Sequence, residues 1–380
     1  FKINMRNVLN TFTSFLTNSN TAARTYTLPD KDGIVSMLSD LPLITSLTSL
    51  TSINGGQIAG MRNVILNGDM RIDQRNTGAA LAVNNTGRFG VDRWLSTAVG
   101  TGASATVQRV GDAPDGFGYS LSYTNGTGRA LASTDEYYIY QPVEFDNVRH
   151  FAYGSSAPKT VTLSFYVKSS VAGVYSGFVR SSVGAGYRSY VYEYTVNVAN
   201  TWELKKIVVP GDSVAISAAS NATGIGVLFD MGSGSTTVGV LGWQSGNVYR
   251  TSGSVNISAT TGAVFKVTGV QLELSTTATT FEQRSYGLEL ALCQRYYQTG
   301  SLSMRFYATG GGQLHDANYA PIVTMRATPT VVVETGAVGN LSAFFVQGIT
   351  SAGAFRGSVA AAGVGDTYKL EAAVTRASEL

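Results

Sequence analysis

The chain has 380 residues, which is enough for two or three domains with well-buried cores. Only 13% of the residues are charged, against a usual share of about 25%, and the formal net charge is +3. The sequence has no block of Lys and Arg, no apolar run of the roughly 18 residues that span a membrane, and a single cysteine, Cys293. We therefore expect no nucleic-acid partner, no membrane insertion and no internal disulfide framework.

Residues 1–62 are predicted to form an N-terminal stalk that several chains share. Apolar residues recur at every third position of one stretch, namely Ile44, Leu47, Leu50 and Ile53. On an α-helix such a stripe drifts off one face, and the intervening Thr and Ser are poor helix formers. The stripe therefore needs partners from other chains, in an extended wrapped assembly or in a short helical bundle.

Residues 63–300 are predicted to form an antiparallel β-sandwich, because apolar and polar residues alternate with period two. The alternation is clearest in KTVTLSFYVKSS, where one side carries Val161, Leu163, Phe165 and Val167. In VFKVTGVQLEL it slips by one residue at Thr268 and Gly269, which predicts a β-bulge. Two tryptophans in strand-like segments, Trp94 and Trp202, are expected in the core.

The end of this zone carries the single predicted helix, SYGLELALCQRYY, which places Leu288, Leu292 and Tyr296 on one face. Cys293 within it is expected to be a small buried hydrophobe. Residues 301–380 contain further strand-like runs, TPTVVVET and LSAFFVQGI, between Gly-rich turns. They predict a small C-terminal β-rich tip domain, so the whole chain is expected to be mostly β.

Several segments in a fixed order carry a resemblance to a known family. The segments are NVILNGDMRIDQRNTG, FGVDRWL, KTVTLSFYVKSS, VTGVQLEL and TTFEQRSYGLELALCQRYYQ, spanning residues 63–298. This order resembles the carbohydrate-binding-module-like jelly roll of bacteriophage and prophage tail fibre proteins. TYTLPDKDGIVSMLSDL, residues 25–41, is similar to a shaft segment of such fibres, and VTMRATPTVVV, residues 323–333, is similar to strands of fibre tips.

The resemblance implies a homotrimeric virion structural protein in the phage tail. Its N-terminal zone would face other tail or baseplate proteins, and its later domains would face the host cell surface. There they would bind bacterial surface polysaccharide or lipopolysaccharide. Jelly rolls of this kind also hold a structural calcium ion near the first and last strands, where Asp69 and Glu273 stand in this sequence. The alternative for these two residues is an ordinary surface acid at a strand end.

Sugar binding requires aromatic faces flanked by groups that hydrogen-bond hydroxyls. One loop-like cluster meets this requirement with Trp243, Gln244, Asn247, Tyr249 and Arg250. Tyr187 lies in a Gly-flanked strand-like segment together with Tyr190, Tyr192 and Tyr194, and the last three alternate on one face. These tyrosines are candidates for sugar contact or, alternatively, for a core or an intersubunit seam.

Catalysis is not expected. Paired acids could cut glycosidic bonds, and the candidates are Asp135 with Glu136, Asp112 with Asp115, and Glu193. Adjacent acids near turns more often are solvated or cap backbone amides. His150 and His315 are isolated in sequence, so neither a catalytic triad nor a His-rich metal site is indicated. A polysaccharide depolymerase tailspike and a purely structural fibre or collar component are the alternatives to a receptor-binding fibre.

Overall fold

The computed structural model describes residues 2–6, 13–17, 61–83, 85, 87–183, 186–214, 221–307, 309, 314–339, 341–350, 354–361 and 367–379. The chain divides into two compact units, Phe1–Leu50 and Thr51–Leu380. The first unit contains an antiparallel pair, β1 (Lys2–Arg6) and β2 (Thr13–Thr17), with Lys2 opposite Thr17. The predicted apolar stripe at positions 44–53 lies outside the described residues.

The second unit is built on a β-sandwich, as predicted, in which two mainly antiparallel sheets pack face to face. The strands of the sandwich are β3 (Leu81–Val83), β4 (Arg88–Val91), β5 (Trp94–Val99), β6 (Ala105–Val110), β7 (Ser120–Asn125), β8 (Glu136–Glu144), β9 (Val161–Ser169), β10 (Gly173–Val183), β11 (Gly186–Val196), β12 (Glu203–Val209), β13 (Thr223–Asp230), β15 (Gly242–Ser245) and β17 (Val264–Glu273). One sheet has the order β15-β11-β10-β13-β8-β5-β4, and the other has the order β12-β9-β17-β7-β6-β3. A short parallel pair, β14 (Val238–Gly239) and β16 (Arg250–Thr251), lies outside both sheets.

The core lies between the two sheets and is rich in aromatic rings. Phe165 of β9 packs against Phe229 of β13 with ring centroids 4.8 Å apart, and against Tyr194 of β11 at 5.0 Å. The predicted inward face of β9 is confirmed, since its four apolar residues are fully buried. Trp94 is buried as predicted, whereas Trp202 is only half-buried and donates its indole N–H to Asp112. The prediction for Trp202 was therefore wrong, because this ring covers the outside of the six-stranded sheet.

The bulge predicted in β17 is confirmed. The register between β17 and β9 shifts between Thr268 and Gln271, and Gly269 has φ +61°. Left-handed backbone of this kind favours glycine, since it has no Cβ. The bulge therefore restores the inward direction of Val270 and Leu272 after the slip in alternation.

Two helices accompany the sandwich, a single turn α1 (Phe145–Val148) and α2 (Tyr286–Gln294). Ser285 caps α2 by accepting a hydrogen bond from the Leu288 amide. The buried side of α2 carries Glu289 and Cys293, whereas Leu288 is 45% exposed. The predicted apolar face through Leu288 was wrong, because the Glu289 carboxylate turns inward to the backbone amide of Asn67 and to Arg284. The burial predicted for Cys293 is confirmed.

The last residues form two further three-stranded antiparallel sheets within the second unit. One has the order β18-β23-β20, and the other β19-β22-β21. Their strands are β18 (Tyr297–Tyr307), β19 (Leu314–Tyr319), β20 (Thr330–Gly339), β21 (Leu341–Gln347), β22 (Phe355–Ala361) and β23 (Thr367–Ala377). The predicted chain divisions after residues 62 and 300 stay predictions. No helix in the described part of the chain is long and apolar enough to cross a membrane.

Candidate functional site

The outer face of the seven-stranded sheet carries an aromatic cluster that is separate from the core. Along β8, Tyr137 and Ile139 point into the sandwich, so the alternate residues Glu136, Tyr138 and Tyr140 point outward. The cluster consists of Phe178, Leu228 and Tyr249, with Tyr138 and Tyr140 packed against it. The seven-stranded sheet therefore buries apolar surface on both faces. Its inner face packs in the core between the sheets, and its outer face packs in this separate cluster.

Strand register brings these residues together from distant parts of the sequence. On the central strand β13, Leu228 pairs with Tyr140 of β8 on one side and with Phe178 of β10 on the other. Two positions earlier, Gly226 lies under the Tyr140 ring, where a Cβ would stand 2.4 Å from the ring edge. The missing side chain therefore allows the tyrosine to lie across the sheet.

Four aromatic rings form a closed circuit on this face. Ring centroids are 6.4 Å apart for Tyr138 and Tyr140, 6.0 Å for Tyr140 and Phe178, 5.6 Å for Phe178 and Tyr249, and 5.6 Å for Tyr249 and Tyr138. Most of these pairs meet edge to face, which is a favoured arrangement of ring quadrupoles. All four rings line a groove of about 360 Å³, which we call the aromatic groove, and within it Phe178 is 1% and Tyr249 5% exposed. Its lining residues are Glu136, Tyr138, Tyr140, Phe178, Arg180, Tyr187, Thr223, Leu228, Asn247 and Tyr249.

Arg180 is the cation of the aromatic groove. Its guanidinium carbon lies 3.9 Å from the Phe178 ring centroid and 4.5 Å from that of Tyr187, so the cation is held against two ring faces. Its Nε donates a hydrogen bond to the Ser189 hydroxyl at 3.2 Å, while Nη2 is buried and has no partner. The residue is only 8% exposed, and this burial lowers the pKa of Arg180.

A carboxylate, an amide and tyrosine hydroxyls line the same groove as the Arg180 cation. Burial raises the pKa of Glu136, an effect that the Tyr249 hydroxyl partly offsets. The amide of Asn247 donates to the Tyr249 hydroxyl at 3.0 Å. Burial also raises the pKa of Tyr140 to about 12, so its hydroxyl stays neutral and able to donate. Ring faces, hydroxyls, an amide and two ionisable groups thus converge on one concave surface.

The structure separates the residues that the sequence grouped as one sugar-binding cluster. Tyr187, Asn247 and Tyr249 line the aromatic groove. Trp243, on the edge strand β15, instead packs against Tyr153 and Tyr190 and donates its indole N–H to the Pro210 carbonyl at 2.7 Å. Tyr190, Tyr192 and Tyr194 line no part of this groove, and the latter two belong to the core, as their alternative interpretation had it.

The remaining two members of that cluster make structural contacts. Gln244 bonds to the backbone of Val240 at both ends of its amide. Arg250 is 5% exposed, donates to the Ser233 carbonyl at 3.2 Å and forms an ion pair with buried Asp230 at 3.7 Å. Neither side chain lines the aromatic groove.

Sequence reasoning missed Tyr138, Tyr140, Phe178 and Arg180 as a group. The alternation of EYYIYQPVE could have revealed that Tyr138 and Tyr140 share a face. No local signal marks Phe178 or Arg180, because their place in the groove depends on how β10 pairs with β13.

The acids considered for catalysis are spread over the structure. Asp135 accepts the Ala132 amide at 2.9 Å and pairs with Arg129 at 3.0 Å, so it shapes a turn while Glu136 lines the groove. Asp112 pairs with Lys168 at 2.9 Å and with Lys266 at 2.6 Å. The bond from Lys266 holds the pKa of Asp112 well below its usual range.

The residues considered for calcium are engaged by other groups. Asp69 forms an ion pair with Arg71 at 2.9 Å, and Glu273 accepts the Thr279 amide at 2.8 Å and the Gln271 amide group at 2.9 Å. Among the described residues, no three His, Cys, Asp or Glu side chains lie close enough to hold a metal ion. A calcium ion at Asp69 and Glu273 stays a prediction from the resemblance.

A second groove lies on the outer face of the six-stranded sheet, with a volume of about 440 Å³. Phe117 packs there against Tyr166 at 5.4 Å and Phe281 at 5.2 Å. Asp115 and Lys206 stand among its lining residues. It lacks the buried guanidinium and the closed aromatic circuit, so the aromatic groove is the stronger candidate.

No protein-family model matches the chain, and no curated protein matches it in sequence. Among solved structures, it is similar to the enzymatically active domain of tailspike protein 4 from bacteriophage CBA120, with 13% identity and a TM-score of 0.29. That match covers 56% of this chain and 21% of the tailspike chain. A family 11 carbohydrate-binding module from Clostridium thermocellum, bound to a β-1,3-1,4-mixed-linked tetrasaccharide, has 15% identity and a TM-score of 0.27, covering 52% of this chain and 98% of the module.

A xylan-binding domain from Paenibacillus barcinonensis has 12% identity and a TM-score of 0.26, covering 60% of this chain and all of that domain. Similarity at this level supports no argument about function.

Proposed function

We propose that this chain is part of a bacteriophage tail fibre that attaches to the bacterial surface by binding glycan in the aromatic groove. The observation that carries the proposal is a concave groove with polar and aromatic lining, in which the partly exposed rings of Tyr138 and Tyr140 pack against the buried rings of Phe178 and Tyr249. Its physical basis is the amphipathic nature of sugars, whose C–H faces stack on aromatic rings while their hydroxyls need hydrogen-bond partners.

The position of the cluster supports binding. Aromatic rings on the outer face of a sheet add nothing to the core between the sheets, which has its own rings. Glu136, Asn247 and the Tyr249 hydroxyl offer acceptors and donors at the level of the rings.

The phage part of the proposal rests on the resemblance of residues 25–41, 63–298 and 323–333 to tail fibre segments. It includes a homotrimer docked on other tail or baseplate proteins, with the groove exposed to the host cell. It also includes the absence of catalysis, for which the support is that Asp135 is engaged by Arg129 and the Ala132 amide, and Asp112 by Lys168. Light scattering of the purified full chain should give three times the chain mass of 40.0 kDa.

Glycan-binding measurements test the central claim. Wild type is expected to bind a subset of purified bacterial capsular polysaccharides and lipopolysaccharide O-chains on an array. Tyr138→Ala should weaken that binding by about 2 kcal/mol, roughly thirtyfold, as expected for an aromatic anchor. Tyr286→Ala is the matched control, because this tyrosine is 58% exposed on α2 and does not line the groove.

Three outcomes would contradict parts of the proposal. If folded wild-type protein bound no polysaccharide, a purely structural fibre or collar role would be favoured. If binding survived Tyr138→Ala unchanged, the aromatic groove would not be the site. Release of shortened oligosaccharides from a bound polysaccharide would indicate a depolymerase.

A further inference from the structure

We infer that the glycan held in the aromatic groove carries an anionic group, a carboxylate or a phosphate, and that the guanidinium of Arg180 binds it. The inference deepens the proposed function and rests on it. It concerns the chemical class of the sugar, because a neutral glycan would satisfy the aromatic rings equally well.

Arg180 is a buried cation without a carboxylate partner among the described residues. Each of three other buried arginines forms an ion pair with a carboxylate. The pairs are Arg93 with Glu379, Arg250 with Asp230, and Arg284 with Glu289. Arg376 also lacks a carboxylate partner in the described part of the chain, but it lines neither groove. Arg180 thus has no carboxylate within ion-pair distance among the described residues and is attracted only at longer range by Glu136, and it stands in the wall of the groove.

A buried charge without an ion pair is costly, and an anionic ligand bound directly to it would lower that cost. A sugar hydroxyl can accept one hydrogen bond from the guanidinium but leaves its charge unopposed. A carboxylate or phosphate opposes the charge and can accept two parallel N–H groups. The free Nη2 atom is the donor that such a group would engage.

The rings around Arg180 hold its donors in place. Phe178 lies beneath the guanidinium, and Tyr187, which is 49% exposed, lies on it at 4.5 Å. Nη2 is shielded from solvent in this arrangement. A ligand oxygen can reach it when the exposed Tyr187 side chain turns to another rotamer.

Glu136 limits where an anion can bind. Its carboxylate lines the same groove and interacts with the Tyr249 hydroxyl, so a ligand anion near it would be repelled. The anionic group is therefore assigned to the Arg180 part of the groove, and neutral hydroxyls to the part lined by Glu136 and Asn247.

The test uses an array of purified capsular polysaccharides and O-chains, each spotted in native, carboxyl-reduced and dephosphorylated form. The full chain is compared with Arg180→Gln and Arg180→Lys. Native acidic polysaccharide should bind wild type at least about tenfold more tightly than the form that lacks its anionic group. The treated form that loses affinity identifies the source as carboxylate or phosphate.

Arg180→Gln should lose at least about tenfold for the native polysaccharide and little for the treated form. Arg180→Lys keeps the charge without the planar fork and should lie between the two. Arg149→Gln is the charge-matched control, because Arg149 is exposed beside Asp146, outside the groove. Thermal unfolding of each variant checks that it is folded.

The outcomes separate this inference from the proposed function. If wild type binds glycans but treated and native forms equally well, or if Arg180→Gln and Arg180→Lys leave the preference intact, the inference is wrong and the glycan-binding function stands. If wild type binds no polysaccharide in any form, the proposed function itself is wrong.

Discussion

Asp230 shows how a single buried carboxyl can link the stability of the sandwich to pH. It is 1% exposed at the end of β13, accepts the amides of Gly232 at 3.0 Å and Ser233 at 3.1 Å, and faces Arg250 at 3.7 Å. Removal from water outweighs these partners and raises the pKa of Asp230 to about 6.

We predict that Asp230→Asn becomes relatively more stable as pH rises. An unfolded aspartate titrates at about 3.9, so between about pH 4 and pH 6 the folded protein binds more protons than the unfolded chain. Wild-type stability should therefore fall through this window and be level above it, as far as Asp230 is concerned. Urea unfolding at about pH 4 and about pH 7.5 should show that the variant gains about 2 kcal/mol of unfolding free energy relative to wild type over this interval.

Asp112 provides a control of opposite sign. Lys266 and Lys168 lower the pKa of Asp112, so its contribution is present at neutral pH and is lost as pH falls below the usual aspartate range. Asp112→Asn should therefore be destabilised relative to wild type at neutral pH and approach it in acid. A shift in the same direction for both variants would contradict the assignment for Asp230.

Gly226 leaves the space that the Tyr140 ring occupies on the outer face of the sheet. A methyl group there would stand 2.4 Å from the Tyr140 ring edge, so Gly226→Ala should displace the ring and distort the aromatic groove. Glycan affinity should fall at least about tenfold, while the unfolding free energy changes by only about 1 kcal/mol, because the tip of a tyrosine side chain can move. Gly253→Ala is the control, since nothing lies within 4 Å of the added atom. Unchanged glycan affinity in Gly226→Ala would argue against Tyr140 as a contact.

The β-bulge of β17 requires a glycine, so a side chain at that position should lower the unfolding free energy of the sandwich. Gly269 has φ +61°, and an added Cβ would stand 2.8 Å from Phe117 and 3.0 Å from Tyr166. We predict that Gly269→Ala lowers the unfolding free energy by about 1–3 kcal/mol, through left-handed strain plus this contact.

Gly262→Ala separates the two causes. Gly262 has φ +69° with nothing within 4 Å of the added atom, so it should show the strain alone. Equal losses in both variants, measured by urea unfolding, would mean that the two rings move aside at no cost.

The same strand shows what the sequence could predict. Alternation in β9 and β17, and the slip at Thr268 and Gly269, predicted their faces and the bulge, because each depends only on neighbouring residues. The face of α2 was not predictable in this way. It is chosen by a contact between Glu289 and Asn67, residues 222 positions apart.

The candidate site was only partly predictable, because strand pairing brings its residues together from distant parts of the sequence. Tyr187, Asn247 and Tyr249 were identified as ligand-like, but they were joined to Trp243 through sequence proximity. Trp243 is drawn to the Tyr190 ring by the pairing of β15 with β11. Arg180 enters the groove only through the register of β10 on β13, which one sequence does not reveal.

For the molecule as a whole, Glu379 fastens the last residues of the chain to the sandwich. Its carboxylate binds both Arg75 and Arg93, and Arg93 is 1% exposed. The Ser378 amide adds a bond to the Tyr296 carbonyl at 2.8 Å. The end of the C-terminal sheets therefore returns to the sandwich next to the end of α2.

We predict that Glu379→Ala lowers the unfolding free energy by about 3 kcal/mol, because Arg93 stays buried without its carboxylate. Asp316→Asn, which weakens an exposed pair with Arg356, should cost less than about 1 kcal/mol. Thermal unfolding and hydrogen exchange over residues 297–379 would measure both. Equal effects of the two variants would mean that Glu379 does not fasten the chain end.

The residues of the aromatic groove lie partly on paired strands inside the sheet and partly in a connection and near a strand end. The two groups should differ in how freely their residues can be substituted during evolution. Tyr138, Tyr140 and Phe178 stand on paired strands inside the sheet, where neighbours on both sides fix them. Asn247 and Tyr249 belong to the short connection between β15 and β16, and exposed Tyr187 stands near the start of β11. Tyr249 is buried in the ring cluster, whereas Tyr187 and Asn247 are exposed, so substitutions at these two positions should alter ligand preference while the folding core stays intact, and variation among natural isolates should concentrate there.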